Sequence, residues 1–555
     1  MPEKDPAEDQ AAQAAEPGKS ATASGGFASP AGDTSAATRP PAPRTALTGT
    51  TATTARPPAP APAARPPAAP GQPAWASGSS WPAPQPVWSP EVWPLTRDGA
   101  PPRVLLAAVA AGGIGAATLV TDRLGLGIVL AATAVLGAAL ATRPHTLRHR
   151  QVAFAALTLA LTSVAAIRSA GWLVGLCLLG AVLTGILSVT AGRTWTGLGL
   201  GALSPLTAPL RTFTWTVRGT SRLKRRRFPV VRALLVAAVS LTLLTIFGAL
   251  FAGADPVFAE LVGNLLPRPE PGPGVGRVVL FAFAAGVALL AATLAHQAPD
   301  FDALAPTTRP TRPRLEWAIP LTALNLLFAG FVGVQLVVLA DGDRYVRRTA
   351  GLTYADYARQ GFWQLLAVTA LTLLVIAVVV RIAGRATRGD RIALRTLLGL
   401  LCLLSALVVA SALRRMWLYE DAYGFTRLRV LVQAVELGLG VVFGLIAVAG
   451  LRLEARWLPR AVLATGALTL LGLAALNPDG FIADHNVTRY ERTGRIDVGY
   501  LSGLSADAIP ALDRLPEPRR ACALGPLLYD LPDHEPWYSA NLSRSRARDL
   551  PVGPC

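Results

Sequence analysis

Glu436 lies inside a long apolar run. A charge buried in hydrocarbon costs about 2.5–3.5 kcal/mol by insertion scales, so such a residue marks a functional hypothesis and calls for a partner. Arg429, Gln433 and Glu436 are spaced i, i+4, i+7 and so share one helical face. Arg414 and Arg415 close the preceding apolar run. One of Arg414, Arg415 and Arg429 is expected to be the counter-ion. That makes either a buried structural Glu–Arg pair or a site for a cation or proton. Gly440 and Gly444 form a GxxxG pair that lets a neighbouring helix approach closely.

The two apolar runs are joined by MWLYEDAYGFTRLR, residues 416–429. Tyr419 and Tyr423 are four apart, Glu420 and Asp421 sit between them, and Arg427 follows. One reading is an interfacial helix with its aromatics at headgroup depth and its acids in water or paired with arginine. The other is the mouth of a site for a cationic or hydroxylated ligand. The segment 341–361 repeats the theme, with Asp341 and Asp343 as a DxD pair among tyrosines and arginines. DxD can hold a divalent cation, but a lone copy arises often by chance and no metal is expected. Asp255 belongs to the same class of acids near a span end. His145 and His149 could share a metal only with two further ligands that their loop lacks. No protease or hydrolase signature is present, no catalytic residue or cofactor is expected, and an enzyme is the less favoured reading.

These residues need helices to hold them. Of 555 residues, 52% are hydrophobic and only 15% charged, where a soluble chain carries about a quarter. Apolar runs of membrane-crossing length occur at 104–120, 124–141, 151–167, 171–191, 230–252, 275–295, 317–340, 362–382, 394–413, 429–451 and 458–476. The pattern predicts an all-α polytopic membrane protein of about eleven spans, ten to twelve allowing for the short first three. The net charge of +18 is mainly a topology signal. Loops after even-numbered spans hold roughly twice the Lys and Arg of the others, which predicts the N-terminus inside and the C-terminus outside. The sites around 341–361, 414–436 and 477–490 would then face outward. No nucleic-acid motif accompanies the charge, so nucleic acid is not an expected partner.

Residues 1–100 hold 20 of the 46 prolines and predict a disordered cytoplasmic tail. Trp75, Trp81, Trp88 and Trp93 recur near its end as headgroup anchors or as a docking segment. Residues 101–476 form the membrane domain. Residues 477–555 are expected to be a small, partly helical extracytoplasmic tail, and Cys522 and Cys555 in it could pair on an oxidising side. The bilayer is the expected partner, with protein partners reached through either tail.

Four stretches, LFAGADPVFAEL (250–261), LTYADYARQGFWQLL (352–366), YEDAYGFTRLRV (419–430) and the segment 477–512, resemble a bacterial family of multi-pass membrane proteins. It is the domain of unknown function 4173, close to 4153, and the likeness runs over roughly 230–515. The resemblance implies a plasma-membrane protein and carries over no catalytic residue. Three functions fit: a transporter or flippase-like protein, a non-catalytic scaffold or signalling component, or an enzyme acting on envelope lipids or glycans.

Overall fold

Ten of the eleven apolar runs fall where a computed structural model describes the chain, and each folds as a helix. The described residues run from 89 to 548 within the compact unit 81–555, with gaps of which the longest are 143–148, 224–235, 266–272, 306–310 and 351–361, and scattered ones between 237 and 253. The run 230–252, Trp75, Trp81, Trp88, His145 and Cys555 lie outside the described residues, as do the side chains of Asp341 and Asp343.

The helices are α1 Pro102–Thr118, α2 Leu126–Leu140, α3 His149–Ile167, α4 Gly171–Thr190, α5 Trp195–Thr207, α6 Pro209–Leu223, α7 Pro256–Leu265, α8 Pro273–His296, α9 Arg314–Ala350, α10 Phe362–Ile382, α11 Arg388–Tyr423, α12 Arg427–Arg452 and α13 Leu458–Leu476. A C-terminal group follows, α14 Pro478–Thr493, α15 Val498–Leu501, α16 Ile509–Leu512, α17 Arg519–Tyr529 and α18 Leu542–Ala547. Among the described residues there is no strand, only an isolated bridge between Arg312 and Ala383. Among the described residues, eight helices are long and apolar enough to cross a membrane: α3, α4 and α8–α13. The Ala/Gly-rich α1 and α2, at 17 and 15 residues, are shorter. The chain is a multi-pass membrane protein.

Helix α1 packs on α2 and α8, α3 on α4, α11 on α9, α10 and α12, and α13 joins α12 to α3 and α4. Helix α11 starts from a capping box in which Thr387 accepts from the Asp390 N–H and Asp390 accepts from the Thr387 N–H. At 36 residues it is about 54 Å long, well beyond ~30 Å of hydrocarbon. It therefore carries straight through Trp417–Tyr423. The join 416–429 is no separate interfacial helix but the end of α11 and a three-residue turn, 424–426.

The C-terminal segment is more than a tail. Ile482, Val487, Leu501, Ile509, Leu512 and Leu524 are buried in one cluster with Leu161 and Leu173 of the α3–α4 hairpin and with Phe425 and Val430. Continuous apolar burial welds this cap onto the helix ends. At the other terminus, the expected tail boundary at 100 falls inside packed chain. Val92, Trp93 and Ala100 are buried, Trp93 meets Phe301 edge-on at 5.8 Å, and the Arg211 guanidinium lies 4.4 Å from its ring centroid. Trp93 is thus fixed by protein contacts rather than left as a free headgroup anchor.

Candidate functional site

Glu436 lies in the third turn of α12 and is only 3% exposed, so it does not point into lipid. The expected arginine partner is nevertheless missing. Among the described residues no ion pair involves Glu436, and its Oε2 has no hydrogen-bond partner. The named counter-ions are turned elsewhere. Arg415 donates to Gln335 Oε1 of α9 at 2.6 Å, beside Ser411, which donates to the same oxygen. Arg429 folds back over the turn, donating to the Gly424 carbonyl at 2.5 Å and to the Tyr419 hydroxyl, with its guanidinium 4.4 Å from the Tyr419 ring centroid. Arg414 is exposed. An arginine gains more from several acceptors and an aromatic face near the interface than from reaching a deeper, isolated carboxylate.

Glu420 departs further from expectation. It is neither in water nor paired with Arg427: it is fully buried, and its Oε2 accepts from Gln433 Nε2 at 2.5 Å while Oε1 is unpartnered. Gln433 and Glu436 are three apart on α12, so they are neighbours on one face. Two buried carboxylates, each with one orphaned oxygen, therefore occupy the α11–α12 seam just below the turn, with Gln433 between them. Buried polar atoms are nearly always satisfied, so two orphans in one seam are exceptional. A proton, a small cation or water would complete them. Of the GxxxG pair, only Gly440 enters the seam, where an added Cβ would meet Val409 at 3.5 Å; Gly444 has open space beside it, and the tight approach is instead Gly438 against Thr469 of α13.

The other expected residues are local. Asp421 forms an exposed pair with Arg492 at 3.5 Å. Tyr423 packs against Tyr419 at a tilt of 39°, ring centroids 4.9 Å apart. Asp255 accepts from the Val257 N–H at 2.8 Å and so caps α7. No group of three metal-binding side chains occurs among the described residues. Cys177 and Cys402 are free and buried in spans; Cys522 has a partner of its own, and Cys555 lies outside the described residues.

Sequence reasoning missed the acids that fasten the cap. Asp479 of α14 is fully buried and accepts from Arg427 Nε at 2.9 Å and a terminal guanidinium nitrogen at 2.5 Å, from Trp172 Nε1 and from the Ser505 N–H. The Arg427 N–H donates to the Tyr500 hydroxyl at 2.8 Å, and burial pushes that phenol's pKa up. Asp507 accepts from the N–H groups of Ser169 and Ala170, from the hydroxyls of Ser169, Ser505 and Ser543, and pairs with Arg168 at 3.8 Å. Asn486 clasps Phe425, donating to its carbonyl and accepting from its N–H, and Arg489 donates to the Ala422 carbonyl. The cap thus holds the α11–α12 turn shut directly above Glu420. The signal available in the sequence was the polar spacing of NPDG and SADA inside otherwise apolar surroundings, and it named no partner.

No curated protein and no solved structure matches the chain. Residues 154–515 match the model of a family described as a domain of unknown function, DUF4153, so the match reaches back through α3 and α4, well before residue 230. The spans that carry the seam and most of the cap that covers it lie inside this match, and the chain belongs to the DUF4153 family.

Proposed function

We propose that the chain is a transporter or flippase-like protein whose exchanging groups are Glu420 and Glu436, with Gln433 between them. One observation supports this above all: two carboxylates are buried at 0% and 3% exposure in a seam between membrane helices, each with an unpartnered oxygen. A structural ion pair would satisfy its acids, whereas a site that gains and loses a proton or cation has to leave acceptor capacity open. The protein reconstituted in vesicles with a pH-sensitive dye inside should change internal pH when a Na+ or K+ gradient is imposed. Glu436→Gln should insert normally and abolish the response. A wild type silent under both gradients, or a Glu436→Gln variant with the wild-type response, removes this reading.

The proposal includes the bacterial plasma membrane, a cytoplasmic N-terminus and the cap outside. A reporter fused after residue 555 that is active only in the cytoplasm would reverse the orientation. Cys522 and Cys555 are proposed to pair there. Full thiol labelling of both in the native, oxidised protein would remove that pair. A scaffold role gains support from the cap surface, where Tyr529 and Trp537 are exposed; such a protein would keep its activity as Glu436→Gln.

A further inference from the structure

At the end of the helices opposite the cap, a small cleft open to solvent is lined by Arg150, Arg193 and Arg460. Its deep wall is Phe154, Leu187 and Leu198, three buried side chains that form an apolar cluster of their own. The arginines come from three separate places in the chain. Arg150 is in the first turn of α3, Arg193 precedes Thr194, the N-cap of α5, and Arg460 is in the first turn of α13. Three helices therefore begin around the cleft. The N-termini of α3 and α13 each add roughly half a positive charge to the three guanidiniums, while that of α5 is taken up by Asp302.

No carboxylate lines the cleft among the described residues. The nearby acid, Asp302, is engaged by the N–H groups of Arg193 and Thr194 and by the Thr194 hydroxyl. Arg460 is held in position by donating from Nε to the Gly192 carbonyl at 2.7 Å, while Arg150 and Arg193 are exposed. Guanidinium forks and helix N-termini both suit the oxygens of a phosphate. The cleft lies at the ends of membrane helices, the level at which lipid phosphates are found, and its buried apolar floor holds the arginines' helices in place.

We infer that this cleft is a binding site for the headgroup of an anionic phospholipid, its phosphate among Arg150, Arg193 and Arg460 and its acyl chains in the surrounding bilayer. The loops that supply these arginines are among the basic ones, so the lipid would come from the anionic cytoplasmic leaflet. The site is separate from the Glu420–Glu436 seam, and its test does not depend on transport.

The full chain should be placed in nanodiscs of phosphatidylcholine with or without phosphatidylglycerol, and lipid retention by native mass spectrometry and the melting temperature read together. Phosphatidylglycerol should be retained and should raise the melting temperature. The double variant Arg150→Gln/Arg193→Gln, whose side chains are exposed, should melt as wild type in phosphatidylcholine alone. It should lose about fivefold in retention per arginine removed, which is roughly 1 kcal/mol each. The pair Arg452→Gln/Arg456→Gln, exposed at the same end but outside the cleft, should retain lipid as wild type does. An equal loss in that control, or unchanged retention in the cleft variant, overturns the site. A melting shift of the same size from glycerol 3-phosphate at matched ionic strength overturns the lipid assignment and makes the ligand a soluble phosphate.

Discussion

Four buried carboxylates, two in the cap and two in the seam beneath it, are treated in opposite ways. Asp479 and Asp507 gather an arginine, backbone N–H groups and hydroxyls until their oxygens are saturated. Glu420 has a single glutamine donor, Gln433, Glu436 has none among the described residues, and each leaves a buried oxygen bare. The cap acids have loops and helix starts around them, where backbone donors are free. The seam acids lie between continuous helices whose N–H groups are already spent within the helix. Burial alone therefore does not distinguish a lock from a working site; the count of donors does.

The largest effect should come from breaking a lock. Asp479→Ala leaves Arg427 half-buried without its carboxylate, and removing one partner of a buried pair costs about 3–5 kcal/mol. The melting temperature in detergent should fall sharply, and Arg427→Met should fall less, because Asp479 keeps its Trp172 and Ser505 donors. A change in Asp479→Ala no larger than that of an exposed substitution would erase the contrast between the two pairs of acids.

Asp507→Asn keeps the shape but loses the charge and reverses one atom's hydrogen-bonding sense against the Ser169 and Ala170 N–H groups. The expected cost is about 1–3 kcal/mol, that of a buried donor left unmade. It should appear as earlier proteolysis of the cap while the spans stay intact. If the spans are cut as early as the cap, the cap is not a separable lock.

Gly424→Ala tests the turn that the cap holds. Gly424 has φ 87° and an added Cβ would run into Asn486 Oδ1, the atom that accepts from the Phe425 N–H. With ψ 164° as well, this backbone is essentially closed to a residue with a side chain, at a cost of about 1–3 kcal/mol. The melting temperature should drop by a few degrees, and a neutral result would show that the turn can shift without the cap.

The spans were readable because hydrocarbon thickness writes itself into run length. That Glu436 turns away from lipid was readable too. Its partners were not. Arg429 was placed on the same helical face by spacing, yet it lies two turns from Glu436 and beside the 424–426 turn, where the Gly424 carbonyl and the Tyr419 ring win. Glu420 looked like a surface acid because its sequence neighbours Asp421 and Tyr423 are exposed; only the continuation of α11 past Met416 turns it inward. The locks on Asp479 and Asp507 join residues more than three hundred positions apart, to Trp172 and Ser169, and no local pattern carries such a pairing.

The smallest effect on stability should come from the seam, and that is where the comparison is sharpest. Glu436→Gln preserves volume and replaces an unsatisfied carboxylate with an amide of the same shape. Nothing paired is broken, because no arginine within ion-pair distance is lost among the described residues and Oε2 had no donor to lose. The stability change should stay within about 0.5 kcal/mol of zero, the range of substitutions that remove no specific interaction. Glu420→Gln should cost more, since its Oε2 accepts from Gln433 and an amide can present its nitrogen there instead. The two variants thus rank by donors lost, not by burial, which is nearly the same for both. Thermal melting of the two proteins in one detergent gives the ranking directly. A Glu436→Gln protein as unstable as Asp479→Ala would mean that Glu436 has a partner as strong as Arg427, and the seam would then be a third lock.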